Sequence, residues 1–181
     1  ITILFKKEMI NYIKIYDIIG FKLCWILCAF SSKWEQPYLG PIVTLLFILI
    51  HLTIVKFNDR DIKIISLAIL IGLIIDSLFF RLDLIIYQGG VLTNFKIAPL
   101  WILSMWGGFA VTLLYSLNSI KNRYLISSLI GLIGGPLSYN AGVQIGSIEI
   151  DVPLGYIMLG ITWGLIIPYL FYVINKLESN E

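Results

Sequence analysis

The sequence predicts an all-α protein, a polytopic membrane bundle of about six transmembrane helices. Of its 181 residues, 59% are hydrophobic and 13% are charged, and the mean hydropathy is +0.91. Soluble domains are roughly 45–50% apolar and about 25% charged, so the composition is that of an integral membrane protein. The apolar residues also fall into six runs, each near the roughly 20 residues that a helix needs to cross a bilayer. We therefore predict one integral membrane domain over residues 1–181.

The predicted spans cover about 15–30, 38–55, 62–80, 98–117, 124–142 and 153–174. Short polar segments connect them. The second, fourth and sixth spans each begin near a proline, which costs nothing in the first turn of a helix. In the connection after the third span, the sequence Tyr87-Gln88-Gly89-Gly90 predicts a small hairpin or a re-entrant segment, with Ile85-Ile86 on one side and Val91-Leu92 on the other.

The first apolar run contains charged and sulfur-bearing residues. It carries Asp17 and Lys22, which can pair with each other, and it lacks a small-residue cleavage site, so we interpret it as a retained span. Met9, just before this run, is a candidate start of translation. Cys24 and Cys28 are four residues apart on one helix face, which favours packing over a disulfide or a metal site.

The distribution of basic residues predicts the orientation of the spans. Nine of the thirteen Lys and Arg residues fall on the side of the amino terminus, and the positive-inside rule then places both termini in the cytoplasm. These nine are Lys6, Lys7, Lys14, Lys56, Arg60, Lys63, Lys121, Arg123 and Lys176. The net charge of +2 is too small, and too dispersed, to indicate nucleic-acid binding.

The fifth span combines a helix breaker with polar side chains. Within Gly131–Gly146, Pro136 predicts a kink near Ile133, and Tyr139 and Asn140 follow it directly. Polar groups inside a bilayer must bind protein or water, so this segment is expected to face the other helices. Its glycines at four-residue spacing predict close helix packing within the chain.

Asp76, inside the third span, is the main candidate for a functional residue. A carboxyl in an apolar helix is costly unless it is paired, protonated or wet, and such residues are commonly functional. The predicted orientation brings Trp101, Ser104, Tyr139 and Asn140 to the same depth, in the outer half of the membrane. We predict an outward-facing polar pocket in which Asp76 is a catalytic acid or base and the other four bind a ligand.

Each candidate also has a structural interpretation. Asp76 can serve only as a hydrogen-bond acceptor for its neighbours, and His51, near the cytoplasmic boundary, is expected to be an interfacial or packing histidine. Trp106 and Tyr87 fit an aromatic belt at the outer interface, although Trp101 and Trp106 can also line a pocket for an apolar ligand. The sequence holds no closely spaced Cys/His set and predicts neither a metal site nor a cofactor.

The order and spacing of several residues resemble those of an uncharacterised family of small bacterial inner-membrane proteins, domain of unknown function 2878. This resemblance implies a location in the bacterial inner membrane but no particular activity. The residues that carry it are Cys24-Trp25, Pro41, Asp76, Ala98-Pro99-Leu100-Trp101, Trp106, Gly134-Gly135-Pro136-Leu137-Ser138-Tyr139 and Ala141-Gly142.

Three functional hypotheses follow from the sequence. In the first, the protein binds a membrane lipid or another small amphiphile in the pocket around Asp76 and acts on it or simply holds it. In the second, it is a subunit of a small-molecule transporter, since six spans with both termini inside resemble the substrate-binding subunits of energy-coupling-factor vitamin transporters. In the third, it is a structural assembly protein whose polar residues only specify helix packing. The sequence identifies no protein partner.

Overall fold

The computed structural model describes residues 2–91 and 93–179, and this part of the chain folds into six α-helices. The helices are α1 (Thr2–Lys33), α2 (Leu39–Ile54), α3 (Asp59–Arg81), α4 (Leu100–Tyr115), α5 (Tyr124–Ile145) and α6 (Leu154–Glu178). Two short strands are β1 (Ile85–Tyr87) and β2 (Ile148–Ile150), and short 3-10 turns cover Thr93–Phe95 and Asn118–Ile120. The prediction of an all-α fold is confirmed, with one small sheet added.

Two of the described helices, α3 and α6, are long enough and apolar enough to cross a membrane. In these two helices 33% and 44% of an apolar 18-residue stretch is buried inside the protein, and the rest of that stretch is half-buried or exposed. The helices α2 and α4 are apolar but have only 16 residues each. The structure therefore supports a helical protein with membrane-spanning character, and six transmembrane helices remain a prediction.

Helix α4 lies at the centre of a group formed with α1, α2 and α3, and it packs against all three. Its two glycines permit this approach. Gly107 lies against side chains of α2 and α3, and Gly108 lies against Phe21 of α1 and Thr44 of α2. A side chain at either glycine would press on these neighbours, so the small residues let α4 be surrounded.

Helices α5 and α6 form an antiparallel pair that packs mainly on itself and joins the rest of the bundle largely through α3. Their backbones approach closely where glycines are spaced by four. A Cβ atom at Gly131 would collide with the backbone carbonyl of Trp163, and one at Gly135 would collide with the Trp163 ring. This contact is the close helix packing within the chain that the glycine spacing predicts. Helix α5 is one continuous helix that contains Pro136.

The connection between α3 and α4 does not form the hairpin that its turn residues predict. Strand β1 instead pairs with β2, antiparallel, with Ile85 opposite Ile150 and Tyr87 opposite Ile148. Leu92, part of the predicted hairpin, lies outside the described residues. The distant pairing prevails because it buries Ile85 and Ile148 over the end of the bundle, whereas a local hairpin would leave them outside. We call this end of the bundle the sheet end.

The connection after β1 is anchored to α1 and α4. Gly89 adopts a positive φ of 65° and lies against the backbone of Ser32, where a side chain would collide. The backbone oxygen of Gln88 accepts hydrogen bonds from the Ser32 hydroxyl at 2.9 Å and from the Trp101 indole at 3.1 Å. The connection is thereby held in place, and Trp101 is held with it.

Because the α5 backbone at Gly131 touches the α6 backbone, replacing Gly131 with Ala should push the two helices apart. We expect the purified Gly131→Ala variant to lose about 1–3 kcal/mol of stability, the usual cost of overpacking a close contact. Gly134→Ala is the matched control, because a Cβ at Gly134 meets no atom within 4 Å. Thermal unfolding should show a lower Tm for the first variant only, and equal Tm values would contradict the packing argument.

Candidate functional site

The Asp76 carboxylate is completely buried and accepts three hydrogen bonds from other parts of the chain. The hydroxyls of Tyr87 and Tyr139 both donate to Oδ1, each at 2.6 Å. The indole Nε1–H of Trp106 donates to Oδ2, also at 2.6 Å. We call these four residues the carboxylate cluster. It joins α3, β1, α4 and α5 at a single side chain.

The local sequence explains how these donors reach Asp76. Gly72, one turn earlier on α3, leaves room for the Trp106 ring, which would collide with any side chain at that position. Tyr87 is aimed inward because its strand pairs with β2. Tyr87 lies outside the helices, where burial, followed by the charge of the neighbouring carboxylate, raises its pKa well above the usual value. Its hydroxyl therefore stays protonated and remains a donor.

A cavity of about 250 Å³ lies beside the carboxylate cluster, between α1, α4, α5 and α6. Its walls are predominantly apolar and aromatic. The rings of Trp106 and Trp163 stack at 4.4 Å between centroids and 12° between planes. Other lining residues include Phe21, Trp25, Trp101, Met105, Phe109, Tyr139, Ile148 and Ile167. We call this space the aromatic cavity.

The aromatic cavity has an exposed rim on α5. Ile130, Gly134 and Ser138 recur at four-residue spacing, so they share one helix face, and all three line the cavity while being exposed. Across the rim, the indole Nε1–H of Trp25 on α1 donates to the Ser138 hydroxyl at 3.2 Å. The cavity thus opens sideways, between α1 and α5, at the surface of the helical bundle.

The structure separates the residues that the sequence groups into one polar pocket. Tyr139 binds Asp76, and Tyr139 and Trp101 line the aromatic cavity. Ser104 and Asn140 do neither, since the Ser104 hydroxyl bonds to the carbonyl of its own helix and Asn140 accepts a hydrogen bond from Tyr156 at 2.8 Å. These residues all lie toward the sheet end, as predicted from their depth. They do not share one pocket because successive residues of a helix point about 100° apart and therefore lie on different faces.

Asp76 itself stands behind the cavity wall. It is fully buried and contacts the cavity only through Trp106 and Tyr139, which bind its carboxylate on one side and line the cavity on the other. The sequence predicts an interfacial belt for Tyr87 and, for Trp106, either that belt or the wall of a pocket for an apolar ligand. The structure places Trp106 in the cavity wall. The signal for their contact with Asp76 is chemical: each ring carries one polar hydrogen, which needs an acceptor when it is buried.

A family model described as a protein of unknown function, DUF2878, matches residues 14–169. The chain belongs to this family. No curated protein and no solved structure matches the chain. The match to DUF2878 extends from α1 into α6, so the carboxylate cluster and the aromatic cavity both lie within the part of the chain that the family describes.

A second polar contact in the DUF2878 chain lies far from the sheet end. Nδ1 of His51 on α2 is 2.8 Å from Oδ1 of Asp17 on α1, and both side chains are completely buried. The sequence predicts that Lys22 can pair with Asp17 and that His51 is an interfacial or packing histidine, and it does not predict this contact. Among the described residues, no group of three His, Cys, Asp or Glu side chains is placed to hold a metal ion.

The carboxylate cluster predicts that Asp76→Asn is destabilising. An asparagine keeps one acceptor oxygen but presents an NH₂ group to the Trp106 indole, so at least one buried donor loses its partner. We expect a loss of about 1–3 kcal/mol, seen as a lower Tm of the purified protein. Ser104→Ala is the control, because that hydroxyl bonds only within its own helix. A wild-type Tm for Asp76→Asn would mean that these hydrogen bonds contribute nothing to the stability of the folded protein.

Proposed function

We propose that the chain is a six-span protein of the bacterial inner membrane that binds the apolar chain of a lipid or another amphiphile in the aromatic cavity. Both termini lie in the cytoplasm, and the sheet end faces outward. The observation that carries the proposal is the cavity itself: an aromatic, apolar space that opens sideways where a bilayer would surround the helices.

The surface of the bundle supports the membrane location. Large aliphatic side chains are exposed on the helices, while several ionisable side chains are completely buried. Leu125, Leu137 and Leu165 are 76%, 63% and 66% exposed, whereas Asp17, His51, Asp61 and Asp76 are 0% exposed. Exposed apolar surface on this scale is expected when lipid, rather than water, is the surrounding solvent.

The lengths of the helices are compatible with six spans. A helix of 16 residues is roughly 24 Å long, shorter than a hydrocarbon core of about 30 Å. Helix α4 need not match that thickness, because α1, α2 and α3 surround it. Helix α2 is extended by the flanking apolar residues Tyr38 and Val55, and a bilayer thins around a short span at modest cost.

The walls of the aromatic cavity favour an apolar ligand. Polar groups need partners when they leave water, and the lining side chains supply few of them. The two polar groups at the rim are the Trp25 indole and the Ser138 hydroxyl, which bind each other. An amphiphile that enters from the bilayer would place its chain among the tryptophans and its polar part near this rim.

Within this proposal Asp76 is a positioning residue. Its carboxylate holds the Trp106 indole and the Tyr139 hydroxyl, and these two rings form part of the cavity wall. Of the four ligand-binding residues that the sequence predicts, Trp101 and Tyr139 line the aromatic cavity and keep that role here, whereas Ser104 and Asn140 do not line it.

The orientation can be measured by cysteine labelling in intact cells. Glu149 on β2 and Asp59 at the start of α3 are both exposed, and neither replacement by Cys changes a Lys or Arg. A membrane-impermeant maleimide should label Glu149→Cys in intact cells and Asp59→Cys only after permeabilisation. The wild type is the blank, because Cys24 and Cys28 are buried. The reverse pattern would invert the proposed orientation.

Ligand binding can be tested through the tryptophans. Trp25, Trp101, Trp106 and Trp163 line the cavity, so a nitroxide-labelled fatty acid that enters it should quench their fluorescence by contact. We expect saturable quenching of the detergent-purified wild type. Gly134→Phe should reduce it several-fold, because position 134 is open at the rim and the added ring would fill the entrance.

The control for this experiment adds the same bulk elsewhere on α5. Leu137→Phe enlarges an exposed side chain that does not line the cavity, and it should leave the quenching as in the wild type. Equal quenching in Gly134→Phe and wild type would place the probe outside the cavity. Absence of saturable quenching in the wild type would favour the structural-assembly hypothesis.

A further inference from the structure

The buried contact between His51 and Asp17 leaves two polar atoms without partners. Nδ1 of His51 and Oδ1 of Asp17 are 2.8 Å apart, but Nε2 of the histidine and Oδ2 of the aspartate have no hydrogen-bond partner. In the described part of the chain these are the two buried side-chain nitrogen or oxygen atoms in that state. We call the two residues the buried pair. The unpartnered atoms set it apart from the carboxylate cluster, in which both oxygens of Asp76 are bonded.

The groups around the buried pair do not supply a counter-charge. Tyr115 of α4 lies edge-on to the His51 ring at 4.9 Å, but its hydroxyl donates to Asp61 of α3 at 2.6 Å. On α1, the hydroxyl of Tyr16 donates to the backbone of Phe47. The tyrosines next to the buried pair are therefore committed to other acceptors.

The basic side chains of Arg60 and Lys121 bind acids other than Asp17, and the lysines of α1 nearest to it, Lys14 and Lys22, form no ion pair with it. Arg60 binds Asp61 at 3.0 Å and Glu178 of α6 at 3.1 Å, and Lys121 also pairs with Glu178. These side chains form their own ion-pair network across α3, α6 and the segment before α5. Of the charged groups in the described part of the chain, His51 is the partner that the Asp17 carboxylate contacts.

From this arrangement we propose that His51 and Asp17 form a proton-binding site. With neutral histidine, the pair carries a net charge of −1 in a buried, apolar setting, which is costly. Uptake of one proton converts His51 to imidazolium and makes the pair neutral overall. Because Nδ1 already faces Asp17, its hydrogen points at Oδ1, and the proton that is gained and released belongs to Nε2, the unpartnered ring nitrogen.

The proton site lies on the same face of α1 as the aromatic cavity. Phe21, Trp25 and Ala29 line the cavity and follow Asp17 at steps of four residues. Phe21 is therefore one helical turn from Asp17. The site is nevertheless separate from the cavity, since neither member of the buried pair lines it.

Nuclear magnetic resonance can read this site directly, because His51 is the single histidine in the chain. We would incorporate ¹⁵N-histidine into the full chain and follow both ring nitrogens from about pH 5 to about pH 9. The expected result is an imidazolium at about pH 6 that loses the Nε2 proton as the pH rises, leaving the tautomer with hydrogen on Nδ1. A neutral ring at about pH 6, or a neutral tautomer with hydrogen on Nε2, would overturn the proposal.

A variant separates the effect of the carboxylate charge from that of the surroundings. Asp17→Asn keeps the shape and one acceptor oxygen but removes the counter-charge, so the imidazolium signals at about pH 6 should disappear. Tyr115→Phe, which keeps the ring beside His51, should leave them unchanged. An imidazolium that persists in Asp17→Asn would show that the charge of Asp17 does not stabilise the protonated form of His51. If Asp17→Asn does not fold, the titration of the wild-type protein alone tests the proposed proton-binding site.

Discussion

The fold depends on one buried carboxylate that must be fully hydrogen-bonded. A charge or polar oxygen away from water is tolerated only when its lone pairs are occupied, and Asp76 meets this requirement with three donors. Tyr87, Trp106 and Tyr139 come from β1, α4 and α5. The hydrogen bonds of one side chain on α3 therefore tie three other elements to that helix. Each donor is an aromatic ring, so satisfying the carboxylate also places three large apolar surfaces.

The aromatic cavity follows from this arrangement. Helices α5 and α6 pack closely on each other and reach the rest of the bundle through α3, the sheet and the carboxylate cluster, while α1 and α5 make little contact. Trp163 of α6 stacks on Trp106, whose indole is bound to Asp76. The stacked rings thus join the α5–α6 pair to the group of α1 to α4 along one wall of the aromatic cavity. The opposite side of the cavity, between α1 and α5, stays open. Tyr139 and Trp106 both donate to the Asp76 carboxylate and line the aromatic cavity. A change that breaks the carboxylate cluster is therefore also expected to change the shape of the cavity.

The sequence predicts the number of helices and the approximate bounds of five of them, because long apolar runs with polar ends carry that information, but α1 begins at Thr2, well before the apolar run that starts near residue 15. It also identifies Asp76 as the polar centre. It does not predict which faces meet, since helices such as α5 are apolar on most sides and give no amphipathic direction. Ser104 and Asn140 share the depth of Asp76 but point elsewhere for this reason. The pairing of β1 with β2 was equally inaccessible: each strand has three residues, too few for an alternating pattern, and they are distant in the chain.

Asp76 and Asp17, two of the three fully buried aspartates in the described part of the chain, are bonded in different ways. Helices α1 and α2 form an antiparallel hairpin, in which Asp17 lies roughly 24 Å and His51 roughly 18 Å from the turn, so the sequence alone places them at similar depth. Adjacent helices then bring them into contact. Asp76 is satisfied by neutral donors, which hold their protons and make a fixed structure. Asp17 contacts His51 through one oxygen only, and its second oxygen has no donor. One buried carboxylate thus has both oxygens bonded to neutral donors, whereas the other keeps an unbonded oxygen beside a histidine, and this difference is why we place the proposed proton site at Asp17.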